Sequence, residues 1–224
     1  MDDCPAASEF DAWEGAAGAL EGGLLHLVAA AAAASANRPG VITEVARRRL
    51  GQLAEPAERV AFVLQMREAL LKMSALMGTP RAINALHGLA DAVPADGELA
   101  QALAAAPVLR DSSADSGYAR MRARGLELFD SIYGRHAPTV ERRLRALCPD
   151  LAEVVVVDAY GRLLAESRRL GPRDTELCAV ACLVPLDVPA QLKSHCLGAA
   201  RLGASDAMVQ AALRLARLVC ARRP

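Results

Sequence analysis

Apolar residues recur along this chain at helical spacing, in segments separated by short polar breaks. In the first half this pattern predicts helices over residues 20–35, 41–50, 56–77 and 80–91. The breaks are Asn37-Arg38-Pro39-Gly40, Gly51 and Gly78-Thr79-Pro80, which combine residues that end helices with residues that begin them. Pro56 suits the first turn of the long third helix. The first half therefore reads as a series of packed helices.

The second half has the same character. Helices are predicted over residues 119–133 and 139–147, and one more begins at Gly171-Pro172 and is apolar on every side after Glu176. The next helix carries Leu192, His195, Ala199 and Leu202 on one stripe and ends at Gly203, and a last helix runs from Ser205 to about Cys220. Residues 154–157 are four valines, which favour a strand, but a lone strand would leave its backbone groups unpaired. We therefore predict helix over residues 151–166.

Composition supports the all-α class. The chain is 53% hydrophobic but only 3% aromatic, and alanine and leucine, both good helix formers, supply most of the apolar content. Residues 1–18 are acidic and rich in glycine and alanine, which predicts a loose arm, and residues 95–118 carry the turn-forming residues typical of a linker. The domain prediction is an arm (1–18), an N-terminal helical half (19–94), a linker (95–118) and a C-terminal half (119–224).

Charge and cysteine usage exclude several classes of protein. The 26 basic residues balance the 26 acidic ones, so nothing predicts binding to nucleic acid or to an anionic membrane surface. The longest apolar run, residues 24–34, is too short to span a membrane, and no basic residue precedes Arg38, as a secretory or transit signal would require. The six cysteines have neither CxxC nor zinc-like spacing. We expect a cytoplasmic protein with reduced thiols, no metal and no cofactor.

The strongest candidate site is a pair formed by Glu176 and His195. Glu176 lies at the start of an otherwise apolar helix, and His195 lies on the apolar stripe of the following helix. A short turn between two helices brings such residues face to face, and a buried carboxylate needs a partner such as an imidazole. The pair is suited to general acid–base chemistry. The alternatives are a purely structural hydrogen bond and a glutamate exposed at a helix N-terminus.

The other cysteines and histidines give weaker signals. Cys178 and Cys182 lie four residues apart on one helix, where disulfide geometry is poor, and Cys196 points away from the side of the helix that carries His195. His26, His87 and His136 have no carboxylate or cysteine at ligand spacing. We interpret these residues as packing or incidental residues.

Two stretches resemble the carboxymuconolactone decarboxylase family, which shares an all-helical fold with the alkyl hydroperoxidase D-like (AhpD-like) proteins. They are Leu170-Gly-Pro-Arg-Asp-Thr-Glu-Leu-Cys and Gln191-Leu-Lys-Ser-His-Cys-Leu-Gly-Ala-Ala-Arg-Leu-Gly-Ala-Ser205. The resemblance covers roughly residues 120–220. It implies that the matching Glu176 and His195 are catalytic. The peroxidase branch of that family has a CxxC at the positions that Val188 and Gln191 occupy here, so the redox cysteines are absent.

The resemblance implies a decarboxylase-like lyase that acts without metal or cofactor on a small carboxylated substrate. His195 would move the proton, Glu176 would orient His195, and Arg162, Arg173 or Lys193 would hold the substrate carboxylate. The alternatives are a thiol-dependent peroxidase or reductase of the AhpD-like fold and a non-catalytic helical oligomer. The family implies a homo-oligomer.

The helix pattern of residues 20–77 parallels that of residues 171–220. When Leu50-Gly51 is aligned with Leu202-Gly203, Thr43 falls at the position of His195. The first half is therefore predicted to be a degenerate repeat without the pair, packed with the second half as one compact body.

Overall fold

The computed structural model describes residues 5, 7–95, 97–110 and 117–221, and all of its regular elements are helical. The first half contains five helices that precede the connection between the halves. Their bounds are α1 (Ala7–Ala16), α2 (Leu24–Ser35), α3 (Pro39–Gln52), α4 (Pro56–Met77) and α5 (Thr79–Ala90). A short helix, α6 (Glu98–Ala104), lies within the connection. Proline occupies the first turn of α3, α4 and α5, where its missing N–H costs nothing.

The second half begins with α7 (Tyr118–Tyr133) and continues through α8 (Ala137–Leu147) and α9 (Pro149–Glu153). The valine-rich segment follows as a π-helix, Val154–Leu164. The half ends with α10 (Pro172–Leu183), α11 (Pro189–Arg201) and α12 (Asp206–Cys220). The prediction of an all-α chain is confirmed, and the four valines are helical as expected. The AhpD-like arrangement in particular stays a prediction.

The structure differs from the expectation of a loose arm over residues 1–18. Residues 7–16 form α1, and the side chains of Phe10 and Trp13 are buried against the rest of the protein. Arg48 stacks over the Phe10 ring and hydrogen-bonds Glu14, so α1 is joined to α3 by both apolar and charged contacts. Burial of these two aromatic side chains stabilises α1, although the helical pattern of this Gly/Ala-rich segment is weak in the sequence.

Two helices without an exposed face form the centre of the molecule. α2 is a run of alanines between Leu24 and Ser35, and α10 is buried from Thr175 to Leu183. They pack directly against each other, with α4 and α12 against both. Small side chains let helix backbones approach closely, so this pair forms a thin but continuous core. Apolar residues from both halves belong to a single buried cluster, and the helices pack as one compact body, as predicted.

The same turn leads into α3 and into α11. Asn37 and Asp187 both adopt the left-handed conformation, with φ of 56° and 54°, and each is followed by one residue and then by a helix-starting proline. Counted from this turn, Glu176 corresponds to His26 and His195 corresponds to Val45. The sequence alignment through Leu50-Gly51 placed Thr43 opposite His195 and was therefore two residues out of register with the backbone.

Within the described residues, no helix combines the length and the apolar character needed to cross a membrane.

Candidate functional site

Glu176 lies in the first half of α10, on a helix whose surroundings exclude water. Pro172 begins this helix, and the Thr175 hydroxyl donates back to the carbonyl of Gly171 at 2.8 Å. The Glu176 residue is 1% exposed, so its carboxylate has no access to bulk solvent. A carboxylate in such a place needs a hydrogen-bonding partner within the protein.

His195 supplies that partner from α11. Its Nδ1 lies 2.9 Å from Glu176 Oε2, and the residue is 3% exposed. The predicted pairing across the short turn is therefore present, with both groups buried. Because Nδ1 is the nitrogen that faces the carboxylate, Nε2 is the ring nitrogen left to exchange a proton with another group.

The approach of α11 to Glu176 depends on Gly198. A Cβ at this position would lie 2.7 Å from Ile132 Cγ2 on α7 and 2.8 Å from Glu176 Oε2. Both distances are shorter than van der Waals contact, so only glycine leaves room for the carboxylate and for α7 at the same point. Arg201, one turn further along α11, adds a hydrogen bond to the carbonyl of Ile132.

Two tyrosines that the sequence pattern did not single out accompany the pair. The hydroxyl of Tyr160 on the π-helix donates to the hydroxyl of Tyr133 on α7 at 3.2 Å, and both rings pack against Phe129. Burial, and to a smaller extent the negative charge of Glu176, raise the pKa of both phenols above the ordinary value. Both hydroxyls therefore stay protonated and act as neutral hydrogen-bond donors.

Close backbone contact between α7 and the π-helix brings the tyrosines together. A Cβ on Gly125 would lie 1.9 Å from the carbonyl oxygen of Val156, and one on Gly161 would lie 2.0 Å from that of Met121. These glycines allow the two helices to touch through their backbones. A signal was available in the sequence, because two of only three tyrosines are followed directly by a glycine, at Tyr133-Gly134 and Tyr160-Gly161.

Lys72 on α4 fixes the beginning of α10 and hence the position of Glu176. Its side chain is fully buried, and Nζ donates to the carbonyl of Leu170 at 2.9 Å and to Thr175 Oγ1 at 2.8 Å. Burial lowers the pKa of this ammonium group from its ordinary 10.5 to about 8. Lys72 was also missed, although it interrupts an apolar segment and the chain contains only one other lysine, Lys193.

Next to Lys72, Glu68 and Arg110 form a second ion pair, which reaches the connection between the halves. Glu68 Oε1 lies 4.0 Å from Lys72 Nζ, and both of its carboxylate oxygens accept hydrogen bonds from Arg110. Arg110 also donates to the backbone carbonyls of Arg162 and Leu163 in the π-helix. The segment predicted as a linker therefore ties α4 to the helix that carries Tyr160.

The pair is nearly enclosed. None of the four cavities described in the structure is lined by Glu176 or His195. One of them, of about 290 Å³, is lined by residues of helices that also contribute to the site, Leu128 and Ser131 of α7, Leu164 of the π-helix, and Leu202 at the end of α11. Among the described residues, no three His, Cys, Asp or Glu side chains cluster closely enough to hold a metal ion.

The three predicted substrate-binding cations do not converge on the pair. Arg162, Arg173 and Lys193 are exposed, and Arg173 is bound to Asp174 at 2.7 Å. Among the described residues, none of the three forms a hydrogen bond or an ion pair with Glu176 or His195. The residue pattern gave no direction for these side chains, so a carboxylate-binding role for them has no support in the contacts.

Four of the cysteines, Cys178, Cys182, Cys196 and Cys220, lack the environment of reactive thiols. Burial raises the pKa of Cys178 far above the ordinary range, that of Cys182 to about 12 and that of Cys220 to about 11. Burial also raises the pKa of Cys196, and the charge of Glu176 adds to the effect. Thiolates are the nucleophilic form, so these four residues are suited to packing rather than to peroxide chemistry. Cys4 lies outside the described residues.

His26, one of two first-half histidines that were predicted to be incidental, is buried on α2. Its Nδ1 has no hydrogen-bond partner among the described residues, and burial lowers its pKa to about 4. Its ring meets Phe62 edge to face. At the position that corresponds to Glu176, the first half thus holds a neutral imidazole without a charged partner.

Comparison with known proteins gives two relatives with the same name. The chain is 32% identical over 201 residues to Peroxisomal protein 2 of Schizosaccharomyces pombe, a match that covers 89% of this chain and 86% of the relative. It is also 32% identical over 170 residues to Peroxisomal protein 2 of Saccharomyces cerevisiae, which covers 69% of this chain and 60% of the relative. No family model matches the chain. No solved structure matches it.

These relatives correct two predictions. The decarboxylase-like function is wrong, because the relatives that match most of the chain are named Peroxisomal protein 2 and not carboxymuconolactone decarboxylases. The cytoplasmic location is wrong for the same reason. The motif of Glu, turn and His that suggested the enzyme describes a helix pair and a hydrogen bond, and neither specifies a reaction. The family resemblance, the catalytic role of Glu176 and His195, and the homo-oligomer stay predictions.

Replacing Lys72 by methionine tests its role at the start of α10. Between pH 8 and 10.5, Lys72 is deprotonated in the folded chain but protonated in the unfolded chain, so its contribution to stability grows as the pH rises. We expect the free energy of unfolding of the wild type, relative to Lys72→Met, to increase by about 1–2 kcal/mol from pH 7 to pH 9.5. Urea denaturation at both pH values measures it. Lys193→Met, which changes an exposed lysine, should show no such increase.

Replacing Gly198 by alanine tests the close contact at the pair. The added methyl group has to displace Ile132 or the Glu176 carboxylate, so we expect a loss of about 1–3 kcal/mol in the free energy of unfolding. The matched control is Gly40→Ala on α3, where a Cβ meets nothing within 4 Å and the change should stabilise the protein slightly. Equal stability of the two variants would contradict the described contact.

Proposed function

We propose that this chain, which belongs to the Peroxisomal protein 2 family, acts in peroxisomes and transfers protons through His195, in a reaction other than decarboxylation. The location rests on the name that both relatives carry. The chemistry rests on one observation, the buried 2.9 Å hydrogen bond between His195 Nδ1 and Glu176 Oε2. A carboxylate that holds one ring nitrogen fixes the tautomer and leaves the other nitrogen as a base.

The proposed reaction is the movement of a proton within a small carbonyl compound. His195 Nε2 takes a proton from the carbon next to the carbonyl group, and the electron pair of the broken C–H bond moves toward the carbonyl oxygen. Glu176 stabilises the imidazolium that forms, because its negative charge lies directly at Nδ1. His195 then returns the proton to the same carbon or, where a C=C bond adjoins that carbon, to the far end of that bond, and the carbonyl group forms again. The step is redox-neutral and consumes no co-reactant.

The tyrosines supply the other half of this chemistry. A proton removed next to a carbonyl group leaves negative charge on the oxygen, which needs hydrogen-bond donors in a dry site. The hydroxyls of Tyr133 and Tyr160 remain protonated because burial raises the pKa of each. The Tyr160 hydroxyl donates to the Tyr133 hydroxyl at 3.2 Å, so the proton of Tyr160 is already used. The proton of Tyr133 is then the one available to the oxygen of the substrate.

Access to the pair limits the size of the substrate. The cavity of about 290 Å³ lies at the lower end of the range for small-molecule sites. It is lined by Ser131, next to Ile132, and by Leu202, one turn beyond Gly198. We assign this cavity as the entrance, with Ile132 as the side chain that has to move when a substrate reaches His195.

Deuterium exchange tests the proton transfer across a whole class of candidate substrates. A panel of small ketones and aldehydes in D₂O is incubated with the protein, and incorporation at carbon is followed by NMR. We expect the wild type to accelerate exchange of at least one compound, and His195→Gln to lower that rate by about 100-fold or more, since general base catalysis contributes this much. Glu176→Gln should cause a smaller loss.

The control for this experiment is His136→Gln, because His136 is exposed and does not contact the pair. It should exchange at the wild-type rate. If no compound exchanges faster with the wild type than with His195→Gln, the pair is a structural hydrogen bond and the proposal fails.

The location is tested separately by fluorescence microscopy. The chain, fused to a fluorescent protein at either end in two different strains, is expressed in Schizosaccharomyces pombe together with a peroxisomal marker. We expect at least one fusion to coincide with the marker. Diffuse fluorescence of both fusions would contradict the peroxisomal assignment and would leave the proposed chemistry unaffected.

A further inference from the structure

The lining of the largest of the four described cavities includes neither Glu176 nor His195. It is an open groove of about 710 Å³ at the junction of α3, α4 and α6, and it shares no lining residue with the cavity of about 290 Å³. We call it the α3–α6 groove. Its apolar surface is contributed by Leu50, Pro56, Val60, Ala92, Leu99 and Ala102. Its volume is in the range of sites for small molecules.

The polar groups of the groove are concentrated in three charged side chains, Arg47, Arg59 and Glu98. Arg47 is committed to other partners, because it binds Glu44 at 2.8 Å and the carbonyl of Asp91 at 3.0 Å. Arg59 differs, since only its Nε is engaged, with the carbonyl of Leu53 at 2.8 Å. Within the described part of the chain, its two terminal nitrogens have no hydrogen-bond partner.

This arrangement selects for an anionic head attached to an apolar tail. The bond from Arg59 Nε orients the guanidinium plane, and two terminal N–H groups are then available for bidentate binding of a carboxylate. The lining charges sum to a net positive value, because two arginines face one glutamate. An uncharged ligand would leave Arg59 unused, and a ligand without a tail would leave the apolar walls exposed to water.

We propose that the α3–α6 groove binds a monomeric aliphatic carboxylate, with the tail against Val60, Leu99 and Ala102 and the carboxylate on Arg59. The groove shares no residue with the Glu176–His195 pair, so its binding can be tested without reference to proton transfer at His195. The occupant is a single soluble molecule rather than the surface of a membrane.

Isothermal titration calorimetry with a homologous series tests the tail contact. Octanoate, decanoate and dodecanoate are titrated below the concentrations at which they form micelles. Each pair of added methylenes that enters the groove should tighten binding roughly tenfold, as expected for burial of apolar groups. An affinity that does not depend on chain length would overturn the proposal.

Two variants locate the binding. Arg59→Gln should weaken decanoate binding about tenfold or more and leave decanol binding unchanged, because only the carboxylate uses the guanidinium. The matched control Arg142→Gln, on the exposed side of α8, should bind both ligands like the wild type. Ala102→Trp fills the groove from an exposed position of α6 and should abolish binding of both ligands.

The folded state of each variant is checked by its thermal melting curve, and Ala57→Trp on α4 provides a second way to fill the groove if Ala102→Trp melts early. Unchanged binding in Arg59→Gln, or in a folded variant with a filled groove, would overturn the proposal. Binding to phosphatidylglycerol vesicles without binding to monomeric decanoate would overturn it as well, because the groove would then be a membrane contact.

Discussion

The burial of α10 from Thr175 to Leu183 is the constraint on which the rest of the structure depends. A buried helical segment has to find every polar partner within the protein, and this one carries two polar side chains, Thr175 and Glu176. Thr175 accepts a hydrogen bond from Lys72, and Glu176 binds His195. The contact with Lys72 joins α10 to α4 in the first half of the chain, and the contact with His195 joins α10 to α11. Leaving either side chain unpaired would cost about 1–3 kcal/mol or more.

The buried charges on α4 extend this dependence to the connection between the halves. Lys72 lowers the cost of burying Glu68, and Arg110 completes the pairing from a segment whose composition looks like an ordinary linker. Ion pairs of this kind add little net stability compared with apolar packing, but they leave few alternative arrangements for the helices that carry them. Arg110 also holds the π-helix through two backbone carbonyls. The position of Tyr160, and hence of the hydroxyl cluster beside Glu176, is coupled to the same network.

Sequence patterns predicted the helices well because proline, glycine and apolar spacing act locally. The pair of Glu176 and His195 could also be predicted, since a carboxylate on an all-apolar helix has to be matched by a nearby polar residue. Lys72, Tyr133 and Tyr160 stand out in the sequence, but their place at the site could not be predicted, because they reach it through contacts between helices distant in sequence, which no local spacing encodes. The reaction was predicted wrongly for a related reason. A helix pair joined by a short turn constrains geometry, whereas the reaction depends on what else faces the pair.

Comparison of the two halves shows why the site is confined to one of them. Both halves use the same left-handed turn before a proline-started helix, so residues at the same distance from that turn can be compared. In the first half the equivalent positions hold His26 and Val45, and Arg48 occupies the position of Gly198. Burial lowers the pKa of His26 to about 4, and Val45 offers it no hydrogen-bonding group. The proposed proton transfer uses the glycine, the carboxylate and the histidine together, and of the two halves only the second has all three at these positions.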